Sequence, residues 1–167
     1  MTVDAYPLHW PHWFPRTDPA HRQRARFNRD GRPLTIADAR GRVLREIGAF
    51  TRPGHTYRID PDQVVISTDV PVRQDGLPYS GRKPPEDSGV AVYFELDGEP
   101  HVLPCDTWDR VADNMAAIAA HLGAMRGMER WGVGDLRSHF AGFTALEHNP
   151  DPDGDWPYIL GVSPTAP

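Results

Sequence analysis

Large apolar residues at Trp108, Val111, Met115, Ile118, Leu122 and Met125 recur in an unbroken 3-4-3-4-3 spacing. That rhythm confines one apolar stripe to one face of an α-helix about 30 Å long. It predicts a helix over Asp106–Arg126, with Asp106 as its cap and Asp109 in a first turn where the helix dipole favours negative charge. Such a stripe has to be buried against another layer, so the remaining segments are read for what covers it. Ala117, Ala120 and Ala124 line the back of this helix, small enough for a second element or a partner to come close. Glu129 breaks the stripe beyond Met125, and Gly127 and Gly132 predict a bend or stop there.

The strongest strand signal is Val90–Leu96, where Val90, Val92, Phe94 and Leu96 alternate with Ala91, Tyr93 and Glu95. Asp97-Gly98 then favours a type I′ turn. Counting back from that turn pairs Leu96 with Glu99, Phe94 with His101 and Val92 with Leu103. A further strand is predicted over Gln63–Val70, ended or placed at an edge by Pro71. Before it, Thr35 and Asp38 form a near capping box. Ile36, Ala39, Val43, Leu44 and Ile47 follow at helical spacing, with Gly48 placed to stop the helix. A short helix is also expected within Asp135–Phe143. The fold class that follows is α+β: a small antiparallel sheet of about three strands packed on one long helix and one or two shorter ones.

With 167 residues the chain suits a single domain, and 39% hydrophobic residues with 18 prolines predict a modest core and long extended connections. Three regions are expected. Residues 1–33 form an extended aromatic and proline-rich arm followed by an Arg-rich segment. Residues 34–146 form the α+β domain, and residues 147–167 a linker with a short apolar end. One cysteine leaves no internal disulfide framework and fits a reducing compartment. No apolar run approaches the roughly 18 residues of a membrane span, and the start lacks a basic region followed by an apolar one. The expectation is an unexported cytoplasmic protein with no membrane association.

The net charge of −5 is unevenly distributed. Residues 16–33 carry six arginines against Asp18 and Asp30, a local charge of +4. Residues 60–113 carry twelve acids against Arg73, Arg82, Lys83 and Arg110, a local charge of −8. Either the two regions attract each other, or both are solvated faces, or Arg22, Arg24, Arg26 and Arg29 form a nucleic-acid-binding arm on an acidic body. By composition the Arg-rich segment reads as a loosely ordered loop. In the arm, Trp10, Trp13 and Phe14 are either docked across the domain or are anchors for a partner. The long loop from Arg73 to Ser88, with Arg73, Asp75, Arg82 and Asp87, has the length of a binding element rather than a plain connection.

Signals for catalysis are weak. Asp75 and Glu95 could serve as metal ligands in a nuclease of the PD-(D/E)xK type, but the lysine which that motif wants does not follow Glu95. Cys105 precedes the expected helix N-terminus, which lowers a thiol's pKa, and with His101 nearby it could be a nucleophile; a small apolar core residue is the plainer reading. His101 itself is expected beside the apolar face, partly buried and hydrogen-bonded. No phosphate loop, nucleophile elbow, zincin motif or paired cysteines is present, and no cofactor or metal is expected.

The order of short blocks carries a family resemblance. Trp10-Pro-x-x-x-Pro-Arg-Thr17 is followed by Val70-Pro-Val-Arg-Gln-Asp-Gly-Leu-Pro78 and Gly89-Val-Ala-Val-Tyr-Phe94. Then come Cys105-Asp-x-Trp-Asp-Arg-Val-Ala-Asp-Asn114 and Ala124-Met-Arg-Gly-Met-Glu-Arg-Trp-Gly132. Together they resemble the N-terminal region of bacterial and prophage- or plasmid-encoded "J domain-containing" (DnaJ-like) proteins. Trp156-Pro-Tyr-Ile-Leu-Gly-Val-Ser163 is similar to the start of a J domain's first helix, here truncated. The His-Pro-Asp tripeptide is absent, and His148-Asn-Pro-Asp151 has an insertion, so co-chaperone activity does not carry over. The resemblance implies a phage or mobile-element setting without an established chemistry. The expected function is therefore a non-catalytic module that binds a protein or a protein–nucleic-acid assembly, as an inhibitor or subunit of a defence complex. Direct nucleic-acid binding and a metal-dependent nuclease are the alternatives.

Overall fold

In the computed structural model, residues 3–50, 59–75, 77–79 and 81–145 are described. The tail at 147–167 expected to resemble a J-domain start lies outside the described residues. Five strands and three helices follow in chain order. β1 (Asn28–Arg29) and β2 (Arg32–Pro33) make a small hairpin, and α1 spans Ile36–Phe50. β3 (Val65–Thr68), β4 (Val90–Leu96) and β5 (Glu99–Cys105) form an antiparallel sheet in that order, followed by α2 (Val111–Arg130) and α3 (Leu136–Phe140). The protein is α+β, with the three-stranded sheet and a long helix at its centre.

The β4–β5 hairpin has the register counted from its turn: Leu96 opposite Glu99, Phe94 opposite His101 and Val92 opposite Leu103. Asp97 and Gly98 both have positive φ, 53° and 84°, as a type I′ turn demands. The alternation of β4 gives the sheet two buried faces. Val90, Val92, Phe94 and Leu96 join Leu103 and the helices in the main core. Ala91, Tyr93 and Val102 point the other way and are covered by Val3, Leu8 and Trp13 of the N-terminal arm. The molecule is thus layered as arm, sheet and helices.

α2 begins later and ends later than its stripe predicts. Val111, Met115, Ile118, Leu122 and Met125 are all buried, so the stripe itself stands. Asp106, however, lies five residues before the helix and does not cap it. Its carboxylate accepts from Thr17 N (2.9 Å), Thr17 Oγ1 (2.8 Å) and Arg16 Nε (2.8 Å). Trp108 also precedes the helix and meets Phe27 edge to face. At the other end the helix passes through Gly127 to Arg130 without the expected bend. The stop is at Gly132, with φ +76°, where Gly132 N donates to Glu129 O and Val133 N to Met128 O. This is a Schellman arrangement. Gly127 has another use: a Cβ there would meet the Trp131 ring at 3.2 Å.

α1 starts with the predicted box, in which Thr35 Oγ1 accepts from Asp38 N and Asp38 Oδ2 accepts from Thr35 N. It continues past Gly48 because Phe50 is fully buried against Phe140, ring to ring at 6.1 Å. β3 is shorter than predicted, since Pro61–Gln63 form a 3-10 turn capped by Asp60. Thr144 and Ala145 extend the sheet beyond β5: Thr144 pairs with His101, and Ala145 N donates to Pro100 O. No helix among the described residues is long and apolar enough to cross a membrane.

Candidate functional site

The arm's aromatics are used within the chain. Trp10 Nε1 donates to Phe14 O at 2.8 Å, and the Arg16 guanidinium lies 4.3 Å from the Trp10 ring centroid. Phe14 meets both Trp10 and Trp13 edge to face, while Trp13 packs on the outer face of the sheet. Backbone bonds tie the arm down: His9 N donates to Ser67 Oγ, Tyr93 Oη to His9 O, and Thr68 N to Ala5 O. Burial raises Tyr93 to about 12, which keeps its hydroxyl a donor. All three aromatics remain only half-buried, but none stands clear as a free anchor.

The Arg-rich segment is ordered, contrary to its composition, because it is docked on acids of the body. Arg16 and Arg22 converge on Asp87 and Asp106, with Asp106 only 3% exposed. Arg24 pairs with Asp109 and Arg29 with Asp38. Gln23 bridges Trp108 in parallel fashion, and Asp30-Gly31 turns the small β1–β2 hairpin. Desolvation would raise Asp87. Hydrogen bonds from Arg16 and the Gly89 amide, with the charges of Arg16 and Arg22, instead hold it below the ordinary carboxylate range. Attraction between the basic and acidic stretches is therefore the arrangement found. A nucleic-acid phosphate approaching Arg22, Arg24 or Arg29 would compete with carboxylates already in place; Arg26 is exposed.

Of the weak catalytic candidates only Glu95 and His101 come near one another, at a small cleft of about 170 Å³ by the hairpin end of the sheet; Cys105 and Asp75 are not among its lining residues. His101 is 3% exposed, stacks on Phe94 at 5.7 Å and meets Phe140 edge to face. Its Nδ1 lies 2.9 Å from Glu99 O, a contact that requires the Nδ1–H tautomer. Cys105 is four residues further along the same strand, about 13 Å away at the strand rise. Nor does a helix N-terminus activate it: Cys105 precedes α2 by six residues, and burial, foremost among several influences, pushes its thiol up. Its Sγ donates to Asn114 Oδ1. Asp75 sits in an exposed turn, where it accepts from Leu77 N and Arg73 and is lowered by those bonds. Glu95 stands at the hairpin end of β4, opposite Pro100. Among the described residues no three His, Cys, Asp or Glu side chains form a group able to hold a metal ion.

Two adjoining clefts that share Ile36 and Val70, together called the groove, are the concave features with the most chemistry. One part, about 310 Å³, lies between α1 and β3 and is lined by Ile36, Arg40, Leu44, Val64 and Ile66, with Val3–Ala5 of the arm along one side. The other, about 250 Å³, lies under the long loop at the start of α2, with Val111 and Ala112 as floor and Tyr79, Arg82, Lys83 and Pro85 as rim. Ile36 and Val70 line both parts. Tyr79 is 49% exposed, and the Arg82 guanidinium lies 5.3 Å from its ring centroid. Arg82 and Lys83 have no carboxylate partner among the described residues, unlike Arg73, which pairs with Asp75.

Of the loop residues singled out in the sequence, Arg82 is at this groove, Arg73 and Asp75 pair with each other, and Asp87 belongs to the ionic clasp. Sequence reasoning missed Tyr79, Lys83, Ile36 and Val70. A surface tyrosine after proline beside a lone lysine was the available signal. Compared with family models, curated proteins and solved structures, the chain matches none.

Proposed function

We propose that this chain is a non-catalytic binding module that docks on a protein partner through the loop-side groove. The observation that carries the reading is the half-exposed Tyr79 with two uncommitted cations, Arg82 and Lys83, around an apolar cleft of about 250 Å³. A tyrosine with an adjacent arginine over an apolar floor is the composition of an interface hot spot, and Lys83 adds positive charge at its rim. The separation of Cys105 and Asp75 from Glu95 and the buried His101 supports a binding role over a catalytic one. The resemblance to regions that precede J domains supports it as well, because it implies a phage or mobile-element setting with no chemistry of its own. There the module would serve as an inhibitor or accessory subunit of a defence complex.

The test places a photo-crosslinking amino acid at Tyr79 in the full chain, expressed in cells that carry the gene. The expected result is one dominant protein adduct, absent when the same probe stands at the exposed Trp131, past the end of α2 remote from the cleft. Adducts with nucleic acid alone would replace this reading with the nucleic-acid alternative. Equal labelling from both positions, or none, would overturn it.

A further inference from the structure

We infer that the groove takes an extended, acidic and apolar peptide segment of a protein partner, which adds a strand to the open edge of β3. This rests on the binding-module reading and names the form of the ligand.

The edge follows from the register. Among the described strands β3 pairs only with β4, through Val65–Tyr93, Ile66–Val92, Ser67–Ala91 and Thr68–Val90. In an antiparallel pair, alternate residues direct both backbone groups toward the neighbouring strand and the others direct both away. Thr68 N donates to Ala5 O of the arm, so Thr68 faces away from β4. Ile66 is two residues earlier and shares that direction. Its N–H and C=O have no backbone partner among the described residues, and they open beside the 310 Å³ part of the groove. The open stretch is short and centred on Ile66, since Thr68 N is taken by Ala5 O and Val64 N by Pro61 O; an open strand edge next to a cavity is the arrangement that strand addition uses.

The groove also fixes the side chains such a segment needs. Successive residues of an added strand point to opposite faces, so every second one would enter the apolar channel lined by Ile36, Leu44, Val64 and Ile66. Ile36 and Val70 continue that lining into the loop-side cleft, where the uncommitted charges, Arg82 and Lys83, are both positive. Asp109 in the same cleft is already paired with Arg24, and Arg110 is held by Leu34 O and Asp113. The charge missing from the cleft is a carboxylate on the incoming segment. An acid at one end of a short run of alternating apolar residues meets both demands.

The experiment pans displayed random peptides against the full chain and measures enriched peptides by anisotropy and by amide hydrogen exchange of the protein. The expected consensus alternates apolar residues and carries Asp or Glu. Binding slows exchange of the Ile66 amide tenfold or more. Ile66→Pro removes the outward N–H, which an edge strand tolerates, and weakens binding about fivefold beyond Ile66→Val, the control that trims the groove-lining side chain and keeps the N–H. Arg82→Glu with Lys83→Glu weakens binding tenfold or more and turns the enriched acids into bases. Peptides enriched at helical spacing, or an Ile66 amide that exchanges as fast with peptide as without, overturn strand addition. If charge reversal still abolishes binding in that case, the cleft reading survives alone. Peptide binding that appears only after Tyr158, Ile159 and Leu160 are changed to Ser would show the groove filled by the chain's own tail. A concentration-dependent dimer lost in Ile66→Pro would assign the edge to a second copy. Either outcome overturns a partner segment.

Discussion

Asn114 shows how much one polar side chain holds in this fold. It is fully buried in the first turn of α2, and its amide is satisfied on both sides. Oδ1 accepts from Trp108 N (3.0 Å) and Cys105 Sγ (3.3 Å), while Nδ2 donates to Ser88 O (2.7 Å) and Trp108 O (2.9 Å). One side chain thus supplies the bonds that two irregular segments cannot make with each other. Asn114→Ala takes their partner from Trp108 N and Ser88 O, while Trp108 O keeps its bond from Ser88 Oγ, and the expected cost is about 2–4 kcal/mol in urea unfolding. A loss below about 1 kcal/mol would mean that water takes over the amide's bonds. The position was partly legible: Asn114 lies three residues after Val111 and four before Ile118, which puts a polar group on the apolar face. What it holds there was not legible, because its partners come from the 88–89 and 105–108 segments and no periodicity connects them.

At the scale of elements, helix ends and ionic clasps decide what periodicity leaves open. The stripe of α2 loses its rhythm after Met125, yet the helix continues because its end is fastened at Gly132 by the Glu129 and Met128 carbonyls. Gly132→Ala puts a Cβ on a backbone with φ +76°, so a loss of about 1–2 kcal/mol in stability is expected. An unchanged urea midpoint would show that the helix end does not depend on this cap. The clasp of Arg16 and Arg22 on Asp87 and Asp106 gives a pH prediction with a definite sign. Asp87 is lowered in the folded chain, so its contribution is complete above its unfolded value of about 4 and fades as pH falls through the lower folded value. Tryptophan emission from Trp10 and Trp13 should therefore report arm undocking below pH about 4, ahead of the loss of far-ultraviolet ellipticity. Asp87→Asn should remove that early step and loosen the arm already at neutral pH. An emission change centred above pH 5, or one untouched by Asp87→Asn, would refute the clasp as its cause.

At the scale of the molecule, the two-sided burial of the β4–β5 hairpin explains both what the sequence showed and what it hid. Alternation in Val90–Leu96 announced two apolar faces, and the long helix could cover only one. The arm's composition showed that it was extended and apolar, not that its destination was the outer face of the sheet rather than the alanines of α2. Ala120 and Ala124 remain exposed. The groove was invisible for a related reason: its walls come from residues 3–5, 36–44, 64–72, 78–79, 82–88 and 109–115, and no spacing joins them. Because Val3–Ala5 wall the groove and Ala5 O holds Thr68 N, arm docking and peptide binding should be linked. Gly89 is the place to test this without touching the groove. A Cβ there would meet Leu8 Cδ2 at 2.9 Å, Arg16 Nη2 at 3.0 Å and Asp87 Oδ1 at 3.1 Å. Gly89→Ala should therefore press on the arm and its clasp, at a cost of about 1–3 kcal/mol. The expected signs are apolar-dye binding to the uncovered face of Ala91, Tyr93 and Val102, and weaker capture of groove peptides. Dye binding with unchanged peptide affinity would separate the arm from the groove, and absence of both would show that the outer face stays covered without this contact.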